Sequence, residues 1–70
     1  MKLFDVVRLL HDQPGLDLKA GMEGAVVEVD SVPTEGYEVE FVDETGRTMG
    51  LASFPREELE LVWAYRENHG

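Results

Sequence analysis

The chain has 70 residues, of which 15 are Asp or Glu and six are Lys or Arg, giving a formal charge of −9. This length predicts one small domain, and the charge opposes binding to phosphate backbones or anionic membranes while favouring cationic partners. Cysteine is absent, which excludes disulfides and thiolate metal sites. There is no apolar run of about 20 residues and no secretory signal, so we expect a cytoplasmic protein.

The first half of the chain predicts two strands. The segment 2–10 is short and contains Val6-Val7, which favours a strand. Residues 11–21 predict a loop with at most one helical turn. Residues 22–30, MEGAVVEVD, predict a clear strand with Ala25, Val27 and Val29 on one face, and with Val26, Glu28 and Asp30 on the other. Gly24 suggests a bulge or a close backbone crossing.

The second half predicts three more strands. After a loop over 31–36, residues 37–42 alternate apolar and acidic side chains, and Gly46 suits the left-handed position of a short hairpin. A fourth strand is expected over 47–54, with a bend or bulge around Gly50. Residues 55–59 predict one helical or 3-10 turn with Pro55 at its first position, followed by a strand over 60–64.

These elements predict an all-β fold, namely a small five-stranded SH3-like barrel with one short 3-10 or helical turn before the last strand. We expect the barrel domain to span residues 1–64 and a flexible tail to span 65–70. The core aromatics are expected to be Phe4, Tyr37, Phe41, Phe54 and Trp63. Trp63 is also a candidate interface aromatic, since small barrels seldom bury an indole fully.

Strand pairing predicts one continuous acidic surface. If Val29 lies opposite Tyr37 or Val39, Glu28 must lie opposite Glu38 or Glu40. The candidate acidic interaction surface consists of four residues, Glu28, Asp30, Glu38 and Glu40. It is either a solvated barrel wall or a docking surface for a basic partner.

Motifs for catalysis or cofactor binding are missing from the sequence. His11 and His69 lack partners at zinc-ligand spacing, and neither Ser31 nor Ser53 lies in a nucleophile elbow. The glycines form no phosphate loop. We therefore expect no catalytic residue, no metal and no cofactor.

Three runs carry a family resemblance: AGMEGAVVEVD, YEVEFVDETGRT and FPREELELV. In order and spacing they resemble a small bacterial family of stand-alone domains of unknown function, over the chain up to about Val62. The pattern is also similar to KOW-type SH3-like barrels and to the barrel of the nitrile hydratase beta subunit. The positions that match this frame are Gly21, Gly24, Val26, Tyr37, Val39 and Phe41. The resemblance implies a fold and structural roles for these residues. KOW domains commonly bind RNA through basic loops, whereas the loops here are acidic.

Together, these features predict a non-catalytic protein-interaction module, such as an accessory subunit or an antitoxin- or immunity-type partner of a basic protein. The alternatives are a structural homo-oligomer, for example a homodimer, and a metal-delivery or accessory factor related to the nitrile hydratase beta-subunit barrel. Nucleic-acid and membrane partners are not expected.

Overall fold

The computed structural model describes residues 1–32 and 34–66. It contains five antiparallel strands, β1 (Val6–Leu9), β2 (Glu23–Asp30), β3 (Gly36–Val42), β4 (Thr48–Phe54) and β5 (Leu59–Trp63). Two 3-10 turns, Pro14–Leu16 and Arg56–Glu58, precede β2 and β5. The all-β class and the short turn before the last strand are confirmed.

The strands form one open sheet in the order β4-β3-β2-β1-β5. Strands β2, β3 and β4 follow one another as neighbours, whereas β5 returns to pair with the outer edge of β1. Gly46 closes the turn between β3 and β4 at φ +85°, as predicted. The Asp43 carboxylate caps this turn by accepting hydrogen bonds from the amides of Thr45 and Arg47, at 2.8 and 3.0 Å. A hydrogen bond from the Thr45 hydroxyl, at 2.6 Å, is the main cause of a lowered pKa of Asp43, and the two amide bonds add to it.

Alternate residues of the strands build the core, and Leu18 of the first loop completes it. The buried hydrophobic residues are Val7, Leu9, Leu18, Val26, Tyr37, Val39, Phe41, Phe54 and Leu59. The Phe41 and Phe54 rings meet edge to face, with centroids 6.0 Å apart. Burial raises the pKa of the Tyr37 hydroxyl.

The prediction for the faces of β2 is wrong in its first half. Val26 is fully buried opposite Val39, while Val27 is exposed. The register shifts between Val26 and Glu28, so Val27 is the additional residue of a β-bulge. Beyond the bulge, Val29 lies opposite Tyr37, which is one of the two predicted registers.

Two of the five aromatics expected in the core lie at the surface instead. Phe4 is 55% exposed and Trp63 is 54% exposed. Phe4 precedes β1, and Trp63 is the last residue of β5. Since Val6 pairs with Trp63, the start of β1 and the end of β5 lie side by side, and both aromatics lie at that end of the two strands.

Candidate functional site

The four predicted acidic residues lie on one face of the hairpin formed by β2 and β3. Glu28 is paired with Glu38, and Ala25 is paired with Glu40. Asp30 lies two residues beyond Glu28, so it projects from the same face. We refer to Glu28, Asp30, Glu38 and Glu40 as the acidic wall.

Electrostatic repulsion within the acidic wall is visible at Glu28. The negative charges of Asp30 and then of Glu38 raise the pKa of Glu28. Among the described residues, no lysine or arginine forms an ion pair with the wall. The Thr48 hydroxyl donates a hydrogen bond of 2.9 Å to the carboxylate of Glu40. The wall is thus a concentrated negative surface whose charges the fold does not neutralise.

Arg8 lies on the same sheet but is already engaged. Its guanidinium donates to Glu23 at 2.9 Å and to Glu60 at 3.0 Å, joining β2 and β5 across β1. Both bonds raise the pKa of Arg8. Arg8 therefore links β2, β1 and β5, and its charge is already paired with two carboxylates outside the acidic wall.

Trp63, the predicted interface aromatic, belongs to an exposed aromatic cluster formed by Phe4, Trp63 and Tyr65. The rings of Trp63 and Tyr65 meet edge to face with centroids 6.0 Å apart, and those of Tyr65 and Phe4 do so at 5.6 Å. Tyr65, which the sequence assigned to the tail, is thus packed against the body of the protein. Aromatic side chains are enriched where proteins bind one another, because they bury a large area at small entropic cost.

A buried carboxylate, Asp5, holds this cluster in place, and sequence reasoning missed it. Asp5 is 2% exposed. It accepts hydrogen bonds from the Lys2 amide and ammonium groups, both at 2.9 Å, and from the Tyr65 amide at 2.8 Å. The one available signal was an isolated Asp inside the apolar segment 3–7. Its partners could not be inferred, since Tyr65 lies at the other end of the chain.

The pKa of Asp5 is the balance of two opposing effects. Burial raises it, but the hydrogen bonds from Lys2 and Tyr65 and the charge of Lys2 together outweigh burial, so the pKa of Asp5 is lowered. A lowered pKa in the folded state means that the ionised carboxylate stabilises the fold. This contribution is complete above the unfolded-state value of about 3.9 and is lost as the pH falls through the folded-state value.

We expect the substitution Asp5→Asn to lower the free energy of unfolding at neutral pH by about 1–3 kcal/mol, because a charge-assisted set of hydrogen bonds is weakened. The difference from the unsubstituted protein should shrink in acid, where Asp5 is itself protonated. Urea denaturation over a range of pH measures this. Glu44→Gln removes the same charge from an exposed turn and should change stability by less than about 0.5 kcal/mol. A pH-independent loss at Asp5 would contradict the assignment.

The two histidines and the possibility of a metal site remain to be placed in the described part of the chain. His11 contacts Glu58 at the surface, with Nδ1 2.7 Å from Oε2. His69 lies outside the described residues. Over 1–32 and 34–66, no three His, Asp or Glu residues are grouped so as to hold a metal ion. In the same ranges, no helix has the length and apolar character needed to cross a membrane.

The fold and the acidic wall define a small, acidic, all-β domain built on one open five-stranded sheet. A family model described as "Domain of unknown function (DUF4926)" matches residues 3–61 of the chain. The protein therefore belongs to this family. Comparison with curated proteins and with solved structures gives no match.

Proposed function

We propose that the protein is a non-catalytic binding module that docks a basic protein through the acidic wall. The observation that carries this proposal is the pairing of Glu28 with Glu38 beside Asp30. Like charges opposed across strands destabilise a sheet. Their accumulation at one place lowers stability, as expected where a surface serves binding more than folding.

A basic partner would relieve this repulsion. Lysine or arginine side chains placed between the carboxylates would convert unfavourable contacts within the wall into favourable contacts across an interface. The formal charge of −9 would also attract such a partner at long range and accelerate association. An accessory subunit and an antitoxin- or immunity-type protein both fit this description, in the cytoplasm as the sequence predicts.

The strand order supports a further part of the proposal, namely that the fold is related to SH3-like, KOW-type barrels and to the nitrile hydratase beta-subunit barrel. In this interpretation β5 pairs with β1 after a 3-10 turn, and β2, β3 and β4 form a meander. The shared feature would be architectural. The acidic wall would replace the basic loops with which many KOW domains bind RNA.

The test compares two double variants of equal charge. Glu28→Gln with Glu38→Gln changes the acidic wall, whereas Glu44→Gln with Glu57→Gln changes exposed residues elsewhere. Each moves the formal charge from −9 to −7, since two carboxylates are removed. We expect the wall variant alone to lose capture of its stoichiometric partner from an extract of the source cell, at low and at moderate ionic strength.

Stability measurements make this comparison decisive. Because the pKa of Glu28 is raised, its neutral form is favoured in the fold, so neutralising the wall should not unfold the protein. Docking is therefore supported if the wall variant no longer captures the partner but has a melting temperature equal to or above that of the unsubstituted protein. Equal capture by both variants would refute it.

A second candidate is a structural homo-oligomer, favoured by the exposure of Trp63 on the edge strand β5. Exposed edges and large apolar side chains are common in interfaces between identical chains. Light scattering at high protein concentration distinguishes the two candidates, and a monomer would eliminate this one.

A further inference from the structure

An open apolar groove lies at the end of the sheet where the aromatic cluster sits. It has a volume of about 560 Å³. Its lining consists of Met1, Lys2, Leu3, Phe4, Val29 and Tyr65. Among the described residues of this lining, the one charged side chain is Lys2, and its ammonium group is already paired with Asp5 at 2.9 Å. The groove therefore offers apolar contact to a ligand and little polar chemistry.

The backbone conformation at Phe4 fixes the position of one side of the groove. Phe4 has φ +70°, which is rare for a residue with a bulky side chain. Its amide donates a hydrogen bond of 2.7 Å to the carbonyl of Val26, and the following residue is the buried Asp5. This strained conformation keeps the phenyl ring at the surface beside Tyr65. A binding surface held in place before the ligand arrives loses less entropy on binding.

The groove and the acidic wall meet at β2, one on each face of the strand. Val29 lines the groove, and its neighbours in the chain, Glu28 and Asp30, belong to the wall. Val29 therefore projects from one face of β2, while Glu28 and Asp30 project from the other. Successive side chains of an extended ligand also point to opposite faces, so a segment lying along this edge of β2 can place one side chain in the groove and the next beside the carboxylates. On this side β1 pairs with β2 only over residues 23–25, whereas β3 pairs with β2 as far as Asp30.

We propose that the groove binds an apolar side chain from an extended basic segment of the partner protein, with a lysine or arginine beside it contacting Glu28 and Asp30. This inference rests on the proposed function and specifies its partner. The flexible stems of lysine and arginine allow their charges to reach the wall while the apolar side chain stays in the groove. The groove supplies the anchor and the wall supplies selectivity for basic sequence.

Charge argues against a second copy of this chain as the occupant. Each copy has a formal charge of −9, so a dimer formed at the groove would bring together two strongly acidic chains. Binding of a basic segment instead reduces the net negative charge of the complex.

The test uses Trp63, the single tryptophan, as the reporter, since its ring packs against Tyr65 of the groove. Its fluorescence is titrated with three synthetic peptides: a lysine-rich peptide with one central leucine, the same peptide with serine replacing leucine, and the leucine peptide with glutamate replacing lysine. We expect the first to bind about tenfold or more tighter than the second, from burial of one leucine side chain. The third should not bind.

Variants locate the binding. Phe4→Asn removes the ring while retaining a residue that tolerates positive φ, and Val29→Thr keeps the β-branched shape. Both should abolish the advantage of the leucine peptide over the serine peptide. Leu16→Asn changes an exposed leucine of the first 3-10 turn and should leave that advantage unchanged. Circular dichroism verifies that each variant is folded.

The outcomes separate this inference from the proposed function. If both lysine-rich peptides bind equally well, the groove inference fails while docking of basic partners stands. Equal binding of the glutamate peptide would refute the basic segment as the occupant. If no peptide binds, the inference fails, and the capture experiment with the wall variants decides the proposed function independently. A dimer that Phe4→Asn dissociates would assign the groove to a second copy and overturn the proposal.

Discussion

Replacing Gly24 with alanine is expected to lower the free energy of unfolding by about 3 kcal/mol, at the upper end of the cost of overpacking a core. A Cβ atom at this position would lie 2.7 Å from the carbonyl oxygen of Glu40 and 2.7 Å from Cγ1 of Val39. It would also lie 2.9 Å from Cδ1 of Phe41. Since the carbonyl belongs to the paired strand β3, relief requires the sheet itself to move. Urea denaturation measures the loss.

Gly36→Ala is the matched control for this prediction. Gly36 also lies in the sheet, but a Cβ atom there would have no atom within 4 Å. The substitution should leave stability unchanged or raise it by up to about 1 kcal/mol, because alanine restricts the unfolded chain. If both glycine substitutions cost the same, close contact at Gly24 is not the cause.

Phe41→Ala is expected to destabilise the protein by about 3–5 kcal/mol, the usual range for truncating a buried phenylalanine. Phe41 is fully buried and packs edge to face on Phe54. A domain of this size has a total stability of roughly 3.5–10 kcal/mol, so the variant should be largely unfolded or close to it at room temperature. Near- and far-ultraviolet circular dichroism would show the loss, and Phe41→Leu should retain a measurable transition.

Leu51→Ala is the control for position, because Leu51 lies on the neighbouring strand β4 but is exposed. Its expected change is within about 0.5 kcal/mol. A large loss at Leu51 with a small loss at Phe41 would contradict the assignment of the core to the face that carries Phe41.

The strands were predictable because their local signals agree. Alternation in β3 set its two faces, and Gly46 marked the hairpin. The bulge expected near Gly50 is also present: Phe41 pairs with Gly50 but the next residue, Val42, pairs with Thr48, so the register of β4 shifts by one residue there. Pairing apolar residues with apolar residues limited the register of β2 on β3 to two possibilities, one of which, Val29 opposite Tyr37, is observed. The predicted close backbone approach at Gly24 is present as well.

The bulge at Val27 could not be predicted from the sequence. Val26 and Val27 are both apolar and β-branched, so either could face the core, and the alternation is ambiguous at this point. The surrounding sheet decides: Val26 fills the space opposite Val39, and Val27 becomes the additional residue. The positions after the bulge return to one of the two predicted registers, which is why the observed pairing of Glu28 with Glu38 is one of the two that the sequence predicted.

The groove was beyond the reach of local patterns. It depends on Phe4 in an unusual backbone conformation and on Tyr65, whose amide donates a hydrogen bond to the Asp5 carboxylate that holds Tyr65 against Phe4. Propensities favour the burial of phenylalanine and tryptophan, and nothing in the segments around Phe4 and Trp63 indicates that the sheet ends beneath them. The acidic wall was therefore foreseen as a location, whereas its apolar neighbour was not.

The position of β1 between β2 and β5 has a consequence for the order of folding. Strands β2, β3 and β4 can pair as successive hairpins soon after each is synthesised, but Leu9 must wait for Leu59. Until β5 emerges, one edge of β1 remains an unpaired template for strands of other chains. The slow step and the interval of greatest aggregation risk should thus coincide with the joining of the two most distant strands, as expected where contacts are distant in sequence.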